Sequence, residues 1–264
     1  MRVLALDFDG VVCDSSREVF TVAVRTYAQL HPGSAWIRTI LEQPGPAATE
    51  RLDFSGAPAF AALQRLIPLG NRAEDFGVAL RALELGLELP DQAAYDAFYR
   101  SLHQGWLEAY HATFYEIRDR LRTADSARWL ALNDGYPPFT AFLKRAADRC
   151  ATAILTARDG ASLDVLLDHL GVSAIIPRSL RLDKEAGLHK TSHRSLLAGR
   201  LQVTFPEITF VDDKVNHLER VAPLGVRPVL AGWGLNTPRE HARATALGFP
   251  VARLDALDSV LLDD

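Results

Sequence analysis

With 264 residues the chain is long enough for one large domain or two smaller ones. Hydrophobic residues make up 48% of it, enough for a sizeable core, yet no apolar run reaches the ~18–20 residues that span a bilayer. A formal net charge of −4 excludes the broad basic face that nucleic acid or an anionic membrane would demand. Two cysteines, Cys13 and Cys150, exclude a disulfide framework, and the first residues lack the pattern of a secretory leader. A cytoplasmic enzyme is the expectation.

In chain order, the first element is an apolar strand, Val3-Leu4-Ala5-Leu6, running into Asp7-Phe8-Asp9-Gly10 and on to Asp14-Ser15. Helical spacing follows through Val19, Phe20, Val22, Ala23, Tyr27 and Leu30, and His31-Pro32-Gly33 ends it. A loop rich in Pro, Gly and Ala covers 43–49, and further helices are predicted over 58–67, 73–86, 91–122 and 125–132. Nothing between 16 and 135 reads as a strand. The aromatic residues Tyr95, Phe98, Trp106, Tyr110 and Phe114 recur at helical spacing, as in the core of a bundle. Asn133-Asp134-Gly135-Tyr136-Pro137-Pro138 reads as a linker.

From there the pattern changes. A helix over 138–148 leads into the strand Ala151–Thr156, and strands at 173–177, 207–211, 227–231 and 250–254 alternate with helices at 160–170, 191–201, 214–222 and 238–247. Such alternation predicts a parallel sheet with helices on both faces. Ligands of these sheets sit beyond the carboxyl ends of the strands, near a topological switch point, which is where Asp7, Thr156 and Asp212 fall.

The acids carry the chemistry. Period two puts Asp7 and Asp9 on one face of the strand, with Phe8 turned into apolar packing. Two carboxylates so close need solvent or a cation. Phe210-Val211-Asp212-Asp213-Lys214 ends another apolar strand in a second acidic pair. Thr156-Ala157-Arg158-Asp159 stands between a strand and a helix, where a hydroxyl and backbone N–H groups bind a phosphoryl group or cap the helix. Lys190 lies at the start of a predicted helix, one of four lysines in the chain at 144, 184, 190 and 214.

These segments, in this order, resemble the motifs of the haloacid dehalogenase superfamily. Motif one is Asp7-Phe8-Asp9-Gly10 with Asp14-Ser15 behind it; Thr156 matches motif two; Lys190, with Lys184 in reserve, matches the motif lysine; Asp212-Asp213 resembles motif four in its double-acid form. The resemblance implies an α/β, Rossmann-like three-layer core with a parallel sheet, formed by 1–15 and 136–264, and an all-helical cap over 16–135. It also implies roles. Asp7 is the nucleophile, and Asp9 the general acid and base. Thr156 and Lys190 cradle the phosphoryl group; the backbone at Ala157 lies in the same loop, and Arg158, to which the family assigns no fixed role, is a candidate to reach the phosphate or the substrate. Mg2+ bridges Asp7, the Asp9 backbone carbonyl and the motif-four acids, with Asp213 aligned to the direct ligand and Asp212 to the acid beside it. One departure stands out: some members carry another aspartate about four residues on, where this chain has Asn216-His217. The Ala231-Gly232-Trp233-Gly234 loop and Asn236-Thr237-Pro238-Arg239-Glu240 resemble phosphoglycolate-phosphatase-like members.

The expected activity is therefore a Mg2+-dependent phosphomonoesterase for a small soluble phosphate ester, as a monomer or homodimer, acting through an aspartyl-phosphate. Dehalogenation would dispense with Asp9 and the acid pair, and phosphonate hydrolysis needs a cap lysine where none precedes Lys144. A sugar-phosphate mutase shares the same residues. A non-catalytic binding domain would be favoured by loss of one of Asp7, Asp9, Lys190 or Asp213, all of which are present. In the cap, Gly70–Gly77 is either an exposed connection or a specificity loop in which Asn71 or Arg72 holds the substrate's non-phosphate end.

Overall fold

The computed structural model describes residues 2–42, 53–70, 72–186 and 190–262, the side chains of 190–195 excepted. The chain divides into two compact units, Met1–Asp14 with Asp134–Asp264, and Ser15–Asn133.

The first unit holds the strands β1 (Val3–Leu6), β2 (Cys13–Asp14), β3 (Asp134–Gly135), β4 (Ala151–Leu155), β5 (Arg181–Leu182), β6 (Ile208–Asp212), β7 (Arg227–Ala231) and β8 (Val251–Ala252). Six of them form a sheet in the order β5-β4-β1-β6-β7-β8, parallel throughout. Every residue of β1 is buried, as a central strand covered on both faces requires, so its sequence runs apolar without alternation. The chain passes from β1 to β4 and β5 on one side, then returns to β6 on the other. The switch point therefore lies at the end of β1. Helices fill the crossovers, among them Pro137–Ala146, Gly160–His169, Lys190–Leu201, Val215–Val221 and Pro238–Ala246. The β2–β3 ladder is a separate antiparallel pair, Cys13 with Gly135 and Asp14 with Asp134. It joins the two points where the chain leaves and re-enters this unit.

One expected strand is absent. Residues 173–177 form turns, and the edge strand is Arg181–Leu182 instead. Val172 and Ile176 are fully buried, so the apolar run is core. The Arg181 guanidinium donates to the carbonyls of Ser173 and Ile176 at 2.8 and 3.0 Å. Those acceptors are thus satisfied by a side chain rather than by a ladder.

The second unit is helical: Ser16–Leu30, Ala35–Leu41, Pro58–Leu66, Ala73–Glu84, Gln92–Ser101, Gln104–Ala124 and Ser126–Leu130. The single helix expected over 91–122 is two. Leu102 is extended, and the His103 ring accepts from the Gly105 N–H at 3.1 Å, starting a new helix with its own cap. Tyr27, Tyr110, Phe114 and Trp129 form the buried aromatic interior. No helix among the described residues is long and apolar enough to cross a membrane.

Candidate active site

The site is built at the carboxyl ends of β1, β6 and β4. Leu6 pairs with Val211 in register, and the Asp7 N–H continues the ladder to the Val211 carbonyl at 2.9 Å. In a parallel pair, residues in register share a face. Asp212, one step beyond Val211, is consequently the acid that stands beside Asp7. Both are buried. Phe8 N–H donates to Asp7 Oδ1 at 2.8 Å, and Lys214 N–H donates to Asp212 Oδ1 at 2.9 Å. Each carboxylate is thereby oriented by the backbone that follows it.

A third group completes the cluster. The Val215–Val221 helix starts directly behind β6, and its first turn returns His217 to the strand end. His217 is buried, with Nδ1 2.9 Å from Asp212 Oδ2. One donor atom each from Asp7, Asp212 and His217 lies within 4.8 Å of the other two. Ligands of a single ion with bonds of ~2.0–2.2 Å lie at most ~4.4 Å apart, so a trio spread over up to 4.8 Å needs a slight side-chain adjustment to close on a divalent cation. Sequence reasoning noted Asn216-His217 only as a departure. The available signal was His217's position on the first turn after an acidic strand end.

Asp213, which the resemblance aligns with the direct ligand, is held by the loop after β7. Its Oδ2 accepts from the Leu235 N–H at 2.9 Å, and its carbonyl accepts from Asn236 Nδ2 at 3.1 Å. It lies one residue beyond β6, in a slot between two glycines. A Cβ on Gly10 would lie 2.2 Å from Asp213 Oδ2, and one on Gly234 would lie 2.4 Å from Asp213 Cβ. Gly10 also sits at φ +81°, where side chains are strained. The glycine of Asp-x-Asp-Gly and the last glycine of the 231–234 loop thus serve the same acid.

Asp9 lies in the bend after β1, where the Phe8 carbonyl accepts from Val12 and Cys13 at 2.9 and 3.0 Å. Its carboxylate is gripped by Arg158. Nε lies 3.1 Å from both oxygens and Nη2 2.6 Å from Oδ1. The Arg158 side chain is fully buried, whereas Asp9 is 31% exposed. The guanidinium carbon stands 5.8 Å from the Phe8 ring centroid. Thr156, buried at the end of β4, accepts the Arg158 N–H on Oγ1 at 3.1 Å. It does not cap the helix that follows; Asp159 does, accepting the Ser162 N–H at 2.8 Å. Ala157 is exposed at the tip of this turn. Tyr136 stands in the same electrostatic surroundings. Burial, then the charges of Asp14, Asp213 and Asp9, hold its phenol protonated far above the usual range.

Lys190 opens the Lys190–Leu201 helix; its side chain lies outside the described residues, as does Asn71. Lys184 begins a short 3-10 turn. Arg72 precedes the Ala73–Glu84 helix, where its N–H donates to Asp75 Oδ2 at 2.8 Å. Its side chain is largely exposed, 3.8 Å from Glu74.

No family model and no curated protein matches the sequence. Solved structures do match. A haloacid dehalogenase-like hydrolase family protein from Streptococcus pneumoniae superposes with a TM-score of 0.62 at 11% identity, covering 98% of this chain and 97% of that one. A predicted phosphoglycolate phosphatase from Haemophilus somnus gives 0.61 at 14% identity, over 98% and 97%. A predicted phosphatase from Clostridium acetobutylicum gives 0.60 at 13% identity, over 100% and 99%. At such identities the likeness is one of fold: the chain has the fold of the haloacid dehalogenase-like hydrolases.

Proposed function

We propose that the protein is a divalent-cation-dependent phosphomonoesterase that hydrolyses a small phosphate ester through an aspartyl-phosphate on Asp7. The observation that carries this reading is the meeting of Asp7 with Asp212 and His217 at the switch point of the sheet. A lone acid at a strand end would serve solubility. Converging buried acids are costly without a cation and a task. The neighbours named as phosphatases support the reaction class and a small-molecule ester as substrate.

A divalent cation held by Asp7 and Asp212, with the Asp9 backbone carbonyl as a further donor, would neutralise charge on the phosphoryl oxygens; on oxygen donors alone that cation is Mg2+. In the first step an Asp7 carboxylate oxygen bonds to phosphorus as the ester P–O bond breaks. Asp9 gives its proton to the departing oxygen, then takes one from the water that cleaves the acyl phosphate. Arg158 holds both Asp9 oxygens, so the exchange requires one of them to leave the guanidinium and carry the proton. The Thr156 hydroxyl, accepting from Arg158 N–H, has its own proton to donate to a phosphoryl oxygen. Lys190 is proposed to offset the remaining charge. With two cysteines, too few for a disulfide framework, a reducing, cytoplasmic setting is the one that fits.

The test is phosphate release from a panel of phosphate esters by the purified protein, with and without divalent cation. Asp7→Asn, whose amide cannot form the acyl phosphate, should abolish release while the far-UV circular dichroism stays unchanged. Release by that variant above a few per cent of wild type removes Asp7 as nucleophile.

A further inference from the structure

The neighbourhood of Asp212 points beyond a magnesium site. Asp212 Oδ1 accepts the Lys214 N–H at 2.9 Å, and Oδ2 meets the ring of His217. His217 Nδ1 lies 2.9 Å from Asp212 Oδ2, and a donor atom of each residue is within 4.8 Å of one from Asp7. Two donors bonded to one ion at ~2.1 Å and at right angles lie ~3.0 Å apart, so the separation that suits a hydrogen bond here also matches the edge of a coordination polyhedron. The ring has little room to take another orientation, since its side chain is 8% exposed and it sits on the first turn of a helix fixed behind β6.

The chemistry of the donors then decides which ion the site prefers. Mg2+ selects oxygen and holds its waters tightly. Imidazole nitrogen suits Fe2+, Co2+, Ni2+ and Zn2+, whose affinities for mixed nitrogen and oxygen sites exceed that of Mn2+. We propose that His217 Nδ1 is the third protein donor to the cation held by Asp7 and Asp212, and that it moves the site's preference from Mg2+ to a first-row transition ion. This rests on reading Asp7 and Asp212 as a cation site in the proposed phosphatase. The competing role is purely orienting: a ring that hydrogen-bonds Asp212 and never touches the ion, as the outer partners of metal ligands do.

The two roles separate by direct observation of the metal. The full-length protein, stripped with chelator, is titrated with Co2+ and with Mg2+ by calorimetry, and the Co2+ form is studied by proton NMR. A bound imidazole gives ring resonances displaced far outside the normal envelope by the paramagnetic ion. Wild type should show them, and His217→Gln should lose them. In that variant Co2+ affinity should fall at least ~10-fold further than Mg2+ affinity, because only the transition ion loses a favoured donor. His217→Asp, which restores an oxygen donor, should keep Mg2+ binding while the Co2+ preference stays low. Absence of displaced imidazole resonances in wild type overturns the proposal without need of any variant. So does an equal weakening of both ions in His217→Gln, the signature of an orienting role. A protein that shows the displaced resonances yet releases phosphate from no ester would sustain this ligand set and defeat the phosphatase reading alone.

Discussion

Each of the two units buries acids, and each treats them differently. In the helical unit, Glu18 is fully buried and Arg118 meets it side-on, Nε to Oε1 at 2.8 Å and Nη2 to Oε2 at 2.9 Å. Trp129 Nε1 adds a bond to Oε1 at 3.3 Å, and the guanidinium carbon lies 4.8 Å from the Phe114 ring centroid. One charge meets one charge in bidentate geometry. In the α/β unit, Asp7 and Asp212 bring two carboxylates against a single imidazole. The helical unit's pair is balanced within itself, as a structural ion pair must be. The other trio places two acids beside one imidazole, donor atoms converging within 4.8 Å of one another, an arrangement that a cation can join. That contrast is what separates a functional cluster from a structural one of similar burial.

The contrast can be broken by substitution. The largest effect is expected beside the trio: Asp9→Asn should lower kcat by ~10²–10⁴-fold, the usual contribution of general acid–base catalysis. Its calorimetric cation affinity should be retained, because the metal contact proposed for Asp9 is its backbone carbonyl. Near-normal turnover would return the dehalogenase-like reading. Next, Arg118→Ala should cost about 3–5 kcal/mol in urea unfolding by leaving Glu18 buried without its partner. A cost below about 1 kcal/mol would mean that water or a neighbour compensates Glu18 and the pair is not closed.

An exposed pair provides the third comparison. Arg72 stands 3.8 Å from Glu74 with most of its side chain in solvent, a geometry that contributes little to stability. If the residue has a task it is recognition. Arg72→Ala should then lower kcat/KM for the preferred ester by roughly 10-fold, as for a lost charged contact. Hydrolysis of a minimal aryl phosphate should be untouched; equal losses on both substrates, or none, would make the segment a connection only. The smallest effect is the most diagnostic of the contrast. In chelated protein, Asp212→Asn should raise stability by roughly 1 kcal/mol, the scale of a screened like-charge contact removed. Saturating cation should no longer shift the unfolding midpoint. A loss of stability in the chelated variant would show the trio to be balanced without an ion.

Much of this was legible in the residues. β1 reads as a buried strand because nothing polar interrupts it before Asp7, and the alternation after Ala151 requires a parallel sheet. The limits have physical causes. A short apolar run such as Val172–Ile176 looks the same whether its carbonyls face a ladder or the Arg181 guanidinium, which comes from further along the chain. The break at Leu102-His103 rests on a ring nitrogen acting as a helix cap, a property that periodicity does not carry. Placing Asp212 beside Asp7 needs the register of β6 against β1, a relation between segments roughly 200 residues apart. The Arg158–Asp9 grip joins residues 149 apart in the chain and has no local signature, whereas His217 is marked only by its place on the first turn after an acidic strand end.

The short β2–β3 ladder has a consequence for how the chain folds. Leu6 must find Ile154 across roughly 150 residues, and about 120 of these belong to the helical unit. The entropy of closing a loop grows with the logarithm of its length. If the helical unit folds first and the Cys13–Gly135 and Asp14–Asp134 pairs zip its ends together, the search is confined to a loop of roughly 30 residues. The difference is about 1.4 kcal/mol, from the scaling (3/2)RT ln n. On this view the four-residue clasp lets an interrupted domain assemble at nearly the speed of an uninterrupted one. Weakening it should slow refolding more than it lowers equilibrium stability.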